Sequence, residues 1–162
     1  LYFVVDASGM VLECAGSVYP DTVAGPQITN LVWIDNARAT VGSRLPVRDS
    51  AQLQAMQRVL GALDTTNLLG RVASLDLKSL ENIKLLTTDG ASIVLGDDGS
   101  LETKLLIARE VLAVREPLGT VMGATIDVSS GREAHYIPRV LPTVTPVPTA
   151  TPTLEPSPTP EP

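Results

Sequence analysis

The run Ile83-Lys84-Leu85-Leu86-Thr87-Thr88-Asp89-Gly90-Ala91-Ser92-Ile93-Val94-Leu95-Gly96 decides how this chain is read. Two apolar segments flank an Asp-Gly pair. Glycine takes the positive φ that a tight hairpin demands without steric penalty, so the run predicts two antiparallel strands joined by a two-residue turn. Toward the C-terminus, Asp97-Asp98-Gly99-Ser100 leads into a helix, with Ser100 as its capping residue. Leu101, Lys104, Leu105, Ala108, Val111 and Leu112 carry the helical pattern. Pro117 ends it, because proline disfavours helical geometry in the residue before it. Ala124-Thr125-Ile126-Asp127-Val128 then reads as a strand. It continues past Ser129-Ser130-Gly131 into Ala134-His135-Tyr136-Ile137 as a hairpin or a bulged extension.

Toward the N-terminus, Leu75 and Leu77 alternate with Ser74, Asp76 and Lys78, the pattern of a half-buried strand. A helix precedes it. Asp49 serves as N-cap, and Gln52 completes a capping-box pattern. Leu53, Met56, Val59, Leu60 and Leu63 form one stripe toward a core, with Gln54, Gln57 and Arg58 on the other side. Val41 to Leu45 and the apolar run Leu31 to Ile34 read as short extended pieces. Trp33, the one tryptophan, reads as a core anchor before an interface anchor. Leu1 to Val5 and Met10 to Glu13 read as strands around the turn Asp6-Ala7-Ser8-Gly9, and Tyr19 to Pro26 as a loop. This order predicts an α+β fold: a mostly antiparallel sheet with both helices on one face and an exposed edge strand near the C-terminus.

Composition narrows the function classes. Hydrophobic residues make up 44% of the 162 but aromatics only 3%, so the core must be aliphatic. A net charge of −6 argues against nucleic-acid binding, which needs a basic face to neutralise phosphates, and against charge-driven adsorption to an anionic membrane. Most of the 13 prolines lie near the C-terminus. Residues 1–138 are therefore expected to form the folded domain. Residues 139–162, rich in Thr and Pro, are expected to be an extended solvated tail.

Chemistry-bearing residues are sparse. Cys14 is the single cysteine, which excludes an intrachain disulfide and a four-cysteine zinc site; it reads as a small apolar residue on a strand. Asp97 and Asp98 fit a turn better than a calcium loop, which needs more oxygen ligands and a terminal Glu. His135 is the single histidine. Asp127, Ser129, Ser130 and His135 crowd one extended segment, where neighbours point to opposite faces and assemble no triad. No Gly-Lys-Ser/Thr follows Gly96 and Gly99, so no phosphate loop is present. No catalytic residue, metal ligand or cofactor is assigned. No run approaches the ~18 apolar residues of a membrane span, and the start in mid-pattern at Leu1 suggests a fragment of a longer protein.

Two stretches carry a family resemblance: Val72 to Gly96, VASLDLKSLENIKLLTTDGASIVLG, and Lys104 to Val128, KLLIAREVLAVREPLGTVMGATIDV. With the opening LYFVVDASGMVLECAG, their ordered strands, Asp-Gly hairpin, helix and closing Ile-Asp strand resemble the extracytoplasmic β domain of the FtsQ/DivIB cell-division proteins, over about residues 1–137. The resemblance implies a non-catalytic divisome scaffold. It would be anchored by an N-terminal membrane helix and a POTRA domain not in this chain, and sit outside the cytoplasmic membrane at the division septum. It would bind FtsB/DivIC-like and FtsL-like partners and help regulate septal peptidoglycan synthesis. It further implies that a partner strand pairs with the last strand, from Thr125 to Tyr136, and packs against the preceding helix. Carried onto this sequence, the contact candidates are Val128, Ser129, Ser130, Gly131, Ala134 and Tyr136, with Arg109 from the helix. The competing reading is a cell-surface binding module carried on a Thr/Pro stalk.

Overall fold

A computed structural model describes residues 2–16, 25–31 and 34–139. Trp33 and the Thr/Pro segment from residue 140 onward lie outside the described residues, as does most of the loop expected over Tyr19 to Pro26. The elements run β1 (Tyr2–Val5), β2 (Val11–Ala15), β3 (Gln27–Thr29), α1 (Ser50–Thr65), β4 (Val72–Asp76), β5 (Ile83–Thr87), β6 (Ser92–Gly96), α2 (Leu101–Arg115), β7 (Thr125–Asp127) and β8 (His135–Ile137). β1 and β2 pair as a separate hairpin, and the other six form one sheet in the order β3-β4-β5-β6-β7-β8. The fold is α+β, with a mixed sheet: β4-β5, β5-β6 and β7-β8 are antiparallel, while β3-β4 and β6-β7 are parallel. Each parallel pair is bridged by a helix, since two neighbouring parallel strands need a crossover.

The central hairpin forms where the Asp-Gly pair places it, but its loop is longer by one residue. Thr87 N donates to Ala91 O at 2.8 Å and Gly90 N to Thr87 O at 3.0 Å, leaving Thr88, Asp89 and Gly90 in the loop. Gly90 alone takes the left-handed conformation, φ +82°. This is the three-residue hairpin solution, a turn closed by one αL residue.

Pleating sorts the sheet's side chains into rows. Ile28, Leu75, Leu85, Ile93, Ile126 and Tyr136 are successive cross-strand partners, so one apolar line spans all six strands. It packs beneath α1 and α2 into a single core that also holds Met56, Leu63, Leu105, Ala108 and Leu112. On the other face the corresponding rows are Gln27-Ser74-Leu86-Ser92-Thr125-Ile137 and Thr29-Asp76-Lys84-Val94-Asp127-His135. These side chains are half-buried or exposed, as a sheet with one wet face requires.

The expected cap of α1 is present, and several other local readings are corrected. Asp49 caps α1, its carboxylate accepting from Ala51 N at 2.9 Å. Gln52 closes no capping box. It is buried, and its Nε2 donates to Leu77 O at 2.8 Å and Asn30 O at 3.3 Å, stitching α1 to the ends of β3 and β4. Ser100 makes no side-chain cap; it sits in the left-handed region at φ +52°. The N-terminal turn of α2 is instead held by Lys104, whose buried Nζ donates to Asp97 Oδ1 (2.6 Å) and Asp97 O (3.0 Å). Val41 to Leu45 is extended only in its second half: Ser43 N donates to Thr40 O in a turn with Gly42 at φ +82°, and Arg44 then bridges Met10 antiparallel, with Val11 N donating to Ser43 O and Leu45 N to Gly9 O. Cys14 lies on β2 and is exposed, with Sγ 3.7 Å from Ala39 O. Replacing Asp49 with Ala removes the accepting carboxylate and is expected to cost about 1 kcal/mol in urea unfolding, with the urea dependence unchanged.

Candidate partner-binding edge

Of the two readings the late segment allowed, the hairpin is the one that forms. Thr125 to Tyr136 is a hairpin: β7 lies between β6 and β8, and only β8 is at the edge. The backbone directions follow from the ladder. Ser92 N donates to Ala124 O and Val128 N donates to Val94 O, so β7 turns the groups of residues 124, 126 and 128 toward β6. Residues 125 and 127 must then face β8, pairing with Ile137 and His135. Alternation along β8 leaves Tyr136 N–H and C=O pointing away from the sheet, with Ala134 and Pro138 in the same phase. Pro138 has no N–H to offer. Among the described residues no strand covers this side of β8.

Tyr136 is fixed from three directions. Its ring lies in the apolar row against Ile126. The Arg115 guanidinium stacks over it, 4.4 Å from the centroid. Its hydroxyl donates to Thr120 O, and Thr120 Oγ1 donates to Arg115 O at 3.4 Å. The residues between α2 and β7 are thereby clasped to the edge strand. At the far end of α2, a Cβ on Gly131 would stand 3.7 Å from Lys104 Cγ and Cε. One line of the helix thus meets the β7–β8 hairpin twice, Lys104 at the connection and Arg115 at Tyr136. Between them, at helical spacing, are Ile107 and Val111, both half-buried apolar side chains packed against the core.

The residues expected to contact a partner divide sharply. Tyr136 and Ala134 lie on or beside the free edge and face the helix layer. Val128 does not qualify: its side chain is fully buried beneath the sheet. Ser129, Ser130 and Gly131 form the connection between β7 and β8. Ser129 N donates to Asp127 Oδ1 at 2.9 Å, Ser130 Oγ to Glu133 O at 3.2 Å, and Gly131 N to Val128 O at 2.9 Å. Gly131, at φ +65°, is needed there for conformational reasons. Arg109 points the wrong way, donating from Nη1 to Thr66 O at 3.2 Å across the α1–α2 contact. The helix residues on the side toward the β7–β8 hairpin are Lys104, Ile107, Val111 and Arg115. The signal for them was their i, i+3, i+4 spacing, which separates them from Arg109 by about half a turn.

The electrostatics of the surrounding carboxylates are those of well-formed turns. Hydrogen bonds from Ser129 hold the Asp127 carboxyl below its ordinary value near 3.8, helped by His135 across the strand pair. Asn30 does the same for Asp76, Lys104 for Asp97, and Ser8 for Asp6. Each folded-state value is lower than the unfolded one, so each contribution is complete above the unfolded value and is lost as pH falls through the folded value. Thermal stability is thus expected to hold from neutral pH to about pH 4 and to decline below it, since unfolded Asp titrates near 3.9; melting curves across that range test this. Asp127, Ser129 and His135 share the wet face rather than alternating, but lie exposed or half-buried with no enclosing cleft. Among the described residues, no three His, Cys, Asp or Glu side chains are grouped to hold a metal ion. Nor is any helix long and apolar enough to cross a membrane. No protein-family model, curated protein or solved structure matches this chain.

Proposed function

We propose that this chain is the extracytoplasmic β domain of a divisome scaffold of the FtsQ/DivIB type, non-catalytic, held at the septal membrane by segments preceding Leu1. It would act by accepting a strand from an FtsB/DivIC-like protein, with an FtsL-like protein in the same assembly, and so help regulate septal peptidoglycan synthesis. The observation that carries this reading is the unpaired outer side of β8 at Tyr136, next to the half-buried Ile107 and Val111 of α2. An incoming strand gains main-chain bonds from the edge and apolar contact from the helix, the two ingredients of strand addition. A residue placed opposite Tyr136 shares its face and so projects toward Ile107 and Val111. The partner is therefore expected to carry apolar side chains at alternate positions.

The test is hydrogen exchange with and without the extracytoplasmic segment of the FtsB/DivIC-type protein from the same genome. The Tyr136 amide and the α2 face around Ile107 and Val111 are expected to gain protection. Protection confined to β3 or to the wet face, with the Tyr136 amide unaffected, would overturn the reading.

A further inference from the structure

The outer side of β8 is complementary to itself. We propose that a second copy of this chain pairs antiparallel with β8 about Tyr136, forming a weak two-fold dimer that occupies the same edge a partner strand would use. The inference depends on the free edge, not on the partner's identity.

The register is dictated by the groups that face outward. With Tyr136 opposite Tyr136, the two residues exchange both of their main-chain bonds at the two-fold axis. Ala134 then stands opposite Pro138 on each side. Ala134 N–H can donate to Pro138 O, but proline returns nothing, so pairing weakens away from the axis. The residues between, His135 and Ile137, face each other across the axis as non-hydrogen-bonded pairs, where side chains approach most closely. This covers Ile137, which is 56% exposed. One step further out, the same register brings Glu133 opposite Arg139 in both directions.

That last pairing selects the occupant. Glu133, His135, Ile137 and Arg139 share a parity and therefore the wet face. A Cβ on Gly123 would meet Arg139 Cδ at 2.6 Å, which places the arginine along the bare backbone beside β7 on that face. No carboxylate of the described residues lies within ion-pair distance of Arg139, and no lysine or arginine of the described residues lies within that distance of Glu133, whose Oε1 is 3.5 Å from His135 Nε2. A two-fold operation satisfies both residues at once. Opposite charges directly across an antiparallel pair are favourable, and like charges there are not. Such an interface is isologous and closes at two copies. Because both partners' edges are consumed, the dimer holds the docking strand in reserve, and a partner segment must displace it.

Sedimentation velocity of the whole chain over a concentration series, without any partner, tests this. The wild type is expected to show a reversible monomer–dimer equilibrium. Glu133→Arg alone, which sets arginine against arginine, and Arg139→Glu alone, which sets carboxylate against carboxylate, are each expected to weaken it by about tenfold. The double variant Glu133→Arg/Arg139→Glu is expected to restore it. A wild type that stays monomeric at the highest soluble concentration overturns the proposal. So does a dimer indifferent to the single reversals, or one the double reversal fails to rescue. Far-UV circular dichroism checks that the variants are folded. Partner-segment binding measured on the monomeric single variants keeps the two outcomes separate, because strand addition by a partner can succeed or fail whatever the self-association shows.

Discussion

Leu85→Ala is expected to destabilise the domain by about 2–5 kcal/mol, the cost of removing buried methyl groups and leaving a cavity in a stiff core. Leu85 sits at the middle of the apolar row, between Leu75 and Ile93, with 1% of its surface exposed. Strands flank it on both sides and the helix layer covers it, so the surroundings have little freedom to collapse into the gap. Domains of this kind retain roughly 5–15 kcal/mol in total. The loss should therefore lower the midpoint of thermal unfolding by about 10 °C or more. The adjacent Leu86 provides the control. It is the same residue type on the same strand, but it points to the wet face and is 44% exposed. Leu86→Ala is expected to change stability by no more than about 0.5 kcal/mol. Equal losses in urea titrations of the two variants would contradict the assignment of faces.

Tyr136→Pro is expected to reduce affinity for an added strand by roughly tenfold to a hundredfold. The substitution removes the one N–H at the centre of the free edge. It also removes the ring that Arg115 covers and the hydroxyl bonded to Thr120 O. The pairing of β8 with β7 uses the main-chain groups of His135 and Ile137, so the sheet retains its internal bonds. Tyr136→Phe separates the contributions, because it keeps the outward N–H and the ring and deletes only the hydroxyl; its affinity should fall far less. Ile28→Pro tests the opposite margin: β3 is the other terminal strand, and binding should be unaffected. Loss of binding in the β3 variant, with Tyr136→Pro binding normally, would move the site to the other side of the sheet. Fluorescence anisotropy with a labelled partner segment reads all three.

Signals confined to a few residues were legible in the sequence, and relations between distant segments were not. The α1 stripe Leu53, Met56, Val59, Leu60 and Leu63 is buried as its spacing indicates, because a 3.6-residue period survives whatever packs against it. The β5–β6 hairpin is equally local. The parallel pairing of β3 with β4 and of β6 with β7 has no short-range signature. It depends on where a helix returns the chain, so Gln27 gives no hint that Ser74 will lie beside it. The same limit left the late segment open between two readings. Thr125 to Tyr136 reads as a hairpin or as one bulged strand; the turn at Ser129-Ser130-Gly131 folds it back, which places β7 inward and buries Val128. Arg109 stands apart from that edge for a different reason. A charged residue on a helix draws notice by type, whereas the face it occupies is settled by its neighbour α1. Gln52 shows how a tertiary contact overrides a capping pattern: its residue type suits a capping box, and its amide instead donates to Leu77 O.

The two crossovers also govern how the molecule must be built. Among the described residues the backbone of β3 finds its ladder only in β4; Thr29 Oγ1 reaches Leu75 O, 46 positions further along the chain. A ribosome delivers β3 well before that complement exists, and α1 is completed in between. Until β4 emerges, Gln27 to Thr29 remains an unmatched template, so the nascent polypeptide carries a vulnerable margin at its leading end. In the mature sheet the opposite margin is β8, the last strand delivered among the described residues.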